Sequence, residues 1–373
     1  MLARKIQILS VLLLGITFSI PVYAGADDRS EEIIEQSHRG GELQKEEGKW
    51  VPVPIPVSNP TIGTGLQAVL MYLHPRKSPD TPNATSGLAA MYTDTESTFV
   101  GGFHDNYFLD DKYRLLVFGG YGVFNLDFYG IGGGGLPNGI SLPYEFKGAV
   151  AGVKALTRLP GTENWYAGLQ YLYMDSTITF KTSSLLPSLP DVTGKVRTAA
   201  MGAMVTFDSR DDNYYPQNGQ YVEAKLMDFS ETWGGDYEYQ KFIGFYNIYI
   251  PVIENLTFAA RTRLESSNGD TPFFNLAYLN MRGFPRGLYQ DQHSLSLHGE
   301  ARYKFHPRWG VIGFYEMGWI NDDLSQITSG PRVTSVGAGL RWQVTEDKNM
   351  NLGVDAAFST DDKAIYIQIG EAF

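Results

Sequence analysis

Period-two alternation of polar and apolar residues, in runs of about ten closed by turn chemistry, constrains this chain more than any other feature. In His293 to Phe305, Leu295, Leu297, Ala301, Tyr303 and Phe305 share one parity. Ser294, Ser296, His298, Glu300, Arg302 and Lys304 share the other. A helix would mix the two sets, whereas a strand puts them on opposite faces. The pattern repeats in Val333 to Trp342, where Val336, Ala338, Leu340 and Trp342 oppose Ser335, Gly337, Gly339 and Arg341. In the last run Ile365, Ile367, Ile369 and Phe373 oppose Tyr366, Gln368 and Gly370.

Alternation alone fits a soluble sandwich as well as a barrel in lipid, and the start of the chain separates the two. Arg4 and Lys5, the apolar stretch Ile8 to Ile20, and Val22-Tyr23-Ala24 read as a signal peptide over residues 1–24, cleaved near Ala24. Its apolar core is shorter than the ~20 residues a membrane-spanning helix requires. The mean hydropathy of -0.20 would suit a water-soluble protein, but the chain holds 41 Gly, 23 Tyr and 21 Phe. Outer-membrane barrels combine these properties because only alternate residues face lipid. The expectation is an all-β, transmembrane, antiparallel up-and-down β-barrel of about 16 strands in a Gram-negative outer membrane, with lipid as its surroundings.

Residues 25–57 are expected to be a flexible periplasmic tail, with eight acidic residues against four basic ones between Gly25 and Trp50. Such a composition does not bury enough apolar surface to offset ordering. Val51 to Pro56 forms its Pro-rich extended end, and a separate periplasmic protein is the partner this tail would recruit. The barrel is then residues 58–373. Its turns include Pro79-Asp80-Thr81-Pro82, Gly132 to Gly135, Leu159-Pro160-Gly161, Gln217-Asn218-Gly219 and Gly330-Pro331. About fifteen runs are countable, and an even number is usual, so one more strand is expected within Lys112 to Gly130.

Several function classes are excluded or disfavoured. With no cysteine there is no disulfide framework and no thiolate metal site. A formal charge of -11 disfavours nonspecific nucleic-acid binding. The acidic pairs Asp110-Asp111, Asp211-Asp212, Asp322-Asp323 and Asp361-Asp362 lie in turn contexts, where Asp serves the backbone. The six histidines include no His-Glu-x-x-His, and His293 and His298 fall on opposite faces of one strand. No Gly-x-Ser-x-Gly elbow occurs, and Gly132 to Gly135 lacks the strand-to-helix setting of a phosphate cradle. Neither an enzyme, a metal nor a cofactor is expected.

The connection from about Ser266 to Gln292 is long, and its core is Met281-Arg282-Gly283-Phe284-Pro285-Arg286-Gly287. This stretch resembles the sixth extracellular loop of BamA/TamA-type bacterial surface-antigen barrels, which carries an arginine-glycine-aromatic tripeptide matching Arg282-Gly283-Phe284. Phe207 to Asp212 with Pro216 and Gly219, Gly313 to Gly318, and Gly337 to Trp342 follow the same family's order. The resemblance covers residues 55–373. It implies that the loop folds into the lumen and that Arg282 pairs with Glu300 and Glu316 as a latch. It also implies that Phe373 is a C-terminal assembly signal, and that the first and last strands, near Thr64–His74 and Lys363–Phe373, meet at a weak seam. The function implied is insertion or translocation of a client outer-membrane or secreted protein, or of a lipid. The alternative is a passive channel or structural barrel. Four departures stand out: the family's tandem periplasmic repeat domains are not expected ahead of this barrel, Glu316 is one methylene longer than the usual aspartate, Ile312 and Phe314 share its parity, and Glu371 interrupts the last apolar face.

Overall fold

The structure is a computed structural model that describes residues 48–75, 83–133, 135–136, 140–212, 215–343, 351–360 and 362–373. The signal peptide, the tail through residue 47 and the turn at Pro79–Pro82 lie outside them. The chain runs β1 (Lys49–Asn59), β2 (Gly63–Leu73), β3 (Thr85–Thr93), β4 (Thr98–Phe108), β5 (Tyr113–Phe128) and β6 (Leu142–Arg158). It continues with β7 (Trp165–Phe180), β8 (Val192–Asp208), β9 (Gly219–Phe229), β10 (Tyr239–Ile253) and β11 (Leu256–Gly269). A two-residue ladder of β12 (Ala277–Tyr278) and β13 (Gln290–Asp291) lies inside the long connection. The last strands are β14 (His293–His306), β15 (Trp309–Asn321), β16 (Arg332–Gln343), β17 (Asn351–Ser359) and β18 (Lys363–Ile369).

All but β12 and β13 close into one antiparallel barrel of sixteen strands, each paired with its neighbour in sequence, with β1 completing the ring against β18. No helix among the described residues is long and apolar enough to cross a membrane. The alternating faces separate as the sequence dictates. Leu88 and Ile365 are 63% and 62% exposed on the outside, while Glu300 and Arg302 are fully buried within. Exposed leucine around buried arginine suits a molecule surrounded by lipid.

The inner face is not uniformly polar. Along β1 to β8 the buried lumen positions include Ile55, Met71, Phe99, Phe103, Phe124 and Leu172, which pack into one apolar cluster. Glycines on β4 and β5 make room for it: a Cβ on Gly101 or Gly120 would meet the ring of Phe99 at 2.3 Å. Charges gather on the opposite wall, from β10 to β18.

The stretch Lys112 to Gly130 does hold a strand, β5, but the barrel also begins earlier than expected. Residues 49–57 are barrel wall, and β1 rather than Thr64–His74 closes on β18. The alternation explains why. Val51, Val53 and Ile55 are β-branched and buried, while Pro52, Pro54 and Pro56 between them face outward. In an antiparallel sheet one residue turns its N–H and C=O to one neighbour and the next turns both to the other. The three prolines share parity, and β1 pairs with β2 without interruption from Lys49↔Leu73 to Asn59↔Gly63. Their missing N–H groups therefore lie on the β18 side, the one edge where a strand tolerates them. The registered pair at the seam is Ser58↔Ile367, and Ser58 has the prolines' parity but keeps its N–H. Continuing that register, the next donor toward β18 would come from Pro56, which has none.

Beyond Ile369 the chain leaves the wall. Gly370 adopts φ +81°, a left-handed conformation that glycine takes without a steric penalty, and its N–H bonds Asn351 C=O at 2.7 Å. Glu371, Ala372 and Phe373 then turn into the lumen. Phe373 is 5% exposed, so it does not extend the outer apolar face of β18 as its parity suggested.

Restoring the missing donors tests the seam directly. Replacing Pro52, Pro54 and Pro56 together by threonine restores three donors toward β18 while keeping strand propensity. The heat-modification temperature of the folded barrel should rise, and cysteines placed along the lower seam should cross-link more readily. No change in either would mean that the prolines do not limit the seam.

Candidate functional site in the barrel lumen

The connection between β11 and β14 folds inward and is held along its whole length. On its first limb Lys241 Nζ of β10 donates to Asn275 C=O at 3.1 Å and lies 3.3 Å from Glu265. Arg263 also pairs with Glu265. On the returning limb Gln290 C=O accepts from Gly132 N–H at 3.0 Å, and its side-chain amide donates to Gly130 C=O at 3.0 Å. Met281 and Phe284 pack with Leu279, Tyr289, Ile320 and Val333. Gly318 on β15 leaves space for this cluster, since a Cβ there would meet Leu279 and Met281 at 2.7 Å.

At the tip Arg282 is 4% exposed and faces three carboxylates. Its Nε donates to Glu316 Oε1 at 2.7 Å, and its backbone N–H to Oε2 of the same group at 2.6 Å. Nη1 donates to Asp355 Oδ2 at 3.0 Å. Nη2 lies 2.9 Å from Glu300 Oε2, an ion contact rather than an aligned hydrogen bond. The guanidinium carbon stands 3.4 Å from the ring centre of Phe314. The inward parity of Phe314 thus has a use, because an aromatic face offers a flat negative surface beneath a planar cation. Gly283 needs its positive φ of 91° and its bare backbone here. A Cβ would crowd Ser335 and Ser359, while its N–H reaches the Tyr366 hydroxyl at 2.8 Å.

The structure thus brings Arg282 to Glu300 and Glu316, sets Phe284 in the apolar cluster with Tyr289 instead, and adds groups that sequence reasoning missed. Asp355 is the third carboxylate. Arg341 bonds it through both oxygens and also donates to Glu371 Oε2 at 2.8 Å. Arg302 bonds Glu300 Oε1 at 2.7 Å and the carbonyl oxygen of Phe373 at 2.6 Å. One branched chain of charges therefore runs from the loop tip to the C-terminus, with Glu300 and Asp355 each shared between two arginines. Asp355 and Arg341 both lie at lumen-facing parity, which was the signal available for them. Glu371 broke the apolar face of the last run because it faces inward.

The other titratable candidates have local duties. His293 bonds Ser266 at 2.8 Å, and His298 bonds Ser296 at 2.9 Å with Glu316 at 3.4 Å. Asp211 accepts from the amides of Gln217 and Asn218, Asp212 from Tyr215, and Asp323 from Ser325. Asp111 is bound by Arg114 at 2.7 Å. No group of three or more His, Cys, Asp or Glu side chains placed to hold a metal ion occurs among the described residues.

Replacing Arg282 by alanine leaves Glu316, Glu300 and Asp355 buried around an empty position, at a cost of about 3–5 kcal/mol. The heat-modification temperature should fall and proteinase K should reach the loop sooner. Arg282→Lys should recover little, because a single ammonium does not span three carboxylates in a plane. Exchanging the charges of Arg282 and Glu300 should also fail to rescue, since Glu316 and Asp355 would still face a carboxylate. An alanine variant as stable as the parent would mean that the remaining loop contacts suffice.

Comparison with known proteins places this geometry. No curated protein sequence matches the chain. Among solved structures, BamA from Haemophilus ducreyi lacking POTRA domains 1-3 is similar with a TM-score of 0.58 and 13% identity, over 88% of this chain and 70% of that one. CdiB from Escherichia coli is similar with a TM-score of 0.59 and 11% identity, over 88% of this chain and 63% of that one. CdiB from Acinetobacter baumannii gives 0.58 and 11%, over 88% of this chain and 60% of that one. At such identities what is shared is the fold, and the chain spans less than two thirds of either CdiB. The Omp85 superfamily domain matches residues 83–345, most of the barrel, and the chain belongs to that superfamily.

Proposed function

We propose that this barrel inserts or translocates a client protein at the outer membrane, with the β1–β18 seam as its working edge. The observation that carries the reading is the contrast at that seam. β17 pairs with β18 from Leu352↔Ile369 to Phe358↔Lys363, whereas the seam has the registered pair Ser58↔Ile367. A wall that is weakly bonded at one place parts there first, and an unpaired strand edge accepts another strand. The three prolines add direction: the edge of β1 below Ser58 offers acceptors without donors at alternate residues, so strand addition would use the edge of β18.

A passive channel is the weaker alternative. The inward loop and the apolar side chains of β1 to β8 occupy the lumen in part, which argues against a wide, permanently open pore. Cleavage near Ala24 would leave residues 25–48 ahead of the wall, and this acidic segment is the part of the tail available to recruit a periplasmic partner.

The natural chain has no cysteine, so a Ser58→Cys/Ile367→Cys variant can form one disulfide across the seam. Directly opposite residues of a bonded antiparallel pair have Cα atoms about 5.5 Å apart, within disulfide reach. In a deletion strain, loss of selected outer-membrane or secreted proteins should be restored by the wild type and by the reduced variant, but not by the oxidised one. An outer-membrane profile unchanged by deletion would overturn the reading and make conductance the next measurement.

A further inference from the structure

His74 and His104 stand on the outer face of the wall, close to the seam. Thr61, in the turn after β1, bonds the inward loop, so that turn lies at the loop's end of the barrel. The other ends of β1 to β4 are therefore at the periplasmic end. There Trp50, Tyr72, Ser86 and His104 fall in one lateral row, through the pairs Trp50↔Tyr72, Tyr72↔Ser86 and Ser86↔His104. They share the parity of Leu70, Leu88 and Val100, which are exposed on the outside. His74, one residue beyond β2, keeps that alternation because its N–H still donates to Ala84 C=O at 2.9 Å. Its ring meets Tyr72 edge-on at 4.8 Å and His104 at 5.4 Å, and Trp50 lies 4.9 Å from Tyr72. Ser86 Oγ stands 2.9 Å from both His74 Nε2 and His104 Nδ1.

Outward Trp and Tyr near strand ends mark the level where hydrocarbon gives way to headgroups, as do Trp165 against Phe207 and Trp309 against Trp342 at the same end. Imidazoles at that level face lipid phosphate. A serine has one hydroxyl proton, so between neutral rings it donates to one and accepts from the other. Between protonated rings both N–H groups point at Oγ, the hydroxyl proton turns outward, and the trio offers only donors. That state calls for an anion, because like charges on adjacent rings repel. The outward residues beside the trio, Leu70, Leu88, Asn106 and Val117, are all uncharged. We infer that His74, Ser86 and His104 form a binding site for the phosphate of an anionic phospholipid headgroup in the periplasmic leaflet. The acyl chains of that lipid lie along Leu70, Leu88 and Val100, and Tyr72 and Trp50 pack between the headgroup and the seam strand β1. A zwitterionic headgroup brings a cation of its own toward the imidazolium groups and is disfavoured. The site assigns one fixed lipid to the wall near the seam and does not rest on the client function proposed above.

The experiment uses the full-length chain refolded into phosphatidylcholine vesicles that contain a minor share of phosphatidylglycerol. Leu88→benzoylphenylalanine captures the lipid beside the trio, and Leu340→benzoylphenylalanine, outward on β16 and two residues from Trp342, captures the bulk. After irradiation, mass spectrometry should find phosphatidylglycerol on position 88 in about fivefold excess over its share of the vesicle, and on position 340 at that share. Adding His74→Gln and His104→Gln should return position 88 to the bulk share. Inorganic phosphate in the buffer should leave the excess unchanged, because the acyl chains keep the lipid in the leaflet. Equal capture at the two positions, or an excess that survives the double substitution, would overturn the inference. Release by inorganic phosphate would do so as well, since the occupant would then be a soluble anion. Ser86→Ala keeps both histidines and covers a double variant that does not refold. It should cut the excess to about half or less, and an undiminished excess would count against the site.

Discussion

Glu300 and Asp355 are the carboxylates on which the lumen's order depends. Each is fully buried, and each is shared between an arginine of the wall and the arginine of the inward loop. A buried charge is tolerated when oppositely charged partners are buried beside it. Here that condition is met only if the loop is in place, because Arg282 supplies one partner to both groups and to Glu316 as well. The same condition reaches the chain end, since Arg302 and Arg341 carry the network on to Phe373 and Glu371. Loop and terminus are therefore two ends of one electrostatic arrangement, and their energies should not be additive.

Much of this was legible in the sequence for a simple reason. Strand parity is a local property, so the outer and inner faces of β14 and β16 follow from residues 293–305 and 333–342 alone. The resemblance brought Arg282 toward Glu300 and Glu316. Asp355 stayed hidden because nothing local says which lumen-facing carboxylate lies across from a loop tip. That depends on barrel closure and on how deeply the loop enters. The apolar half of the lumen was hidden for a related reason: Phe99 and Phe124 have the parity of an inner face but the chemistry expected of an outer one. Only the glycines beside them, which yield the space, show which side they fill.

The two ends of the barrel wall were the hardest to read, and both misreadings have the same origin. Pro52, Pro54 and Pro56 speak against a strand when taken as composition, yet taken by parity they spare every bond that β1 owes to β2. Phe373 has the parity of the outer face of β18, but parity carries no meaning past Gly370, where a left-handed residue breaks the strand. Each deviation answers the other. An edge lacking donors has little to offer a continuing β18, and the inward charges of Arg302 and Arg341 offer its terminus more.

The loop also reaches across the junction that these deviations weaken. Gly283 N–H bonds Tyr366 of β18, and Arg286 N–H bonds Thr61 in the turn after β1 at 2.9 Å. Three residues apart in the loop, these two amides attach to opposite sides of the seam. Parting β1 from β18 must therefore break one of them or stretch a segment in which Gly283 and Gly287 both sit at positive φ and Pro285 fixes the path. The Arg282 cluster lies beside the first of these bonds, so whatever loosens the guanidinium also loosens the clasp. In this geometry the buried charges do more than hold a plug in place. They link the resistance of the seam to a network that runs on to Glu371 and Phe373.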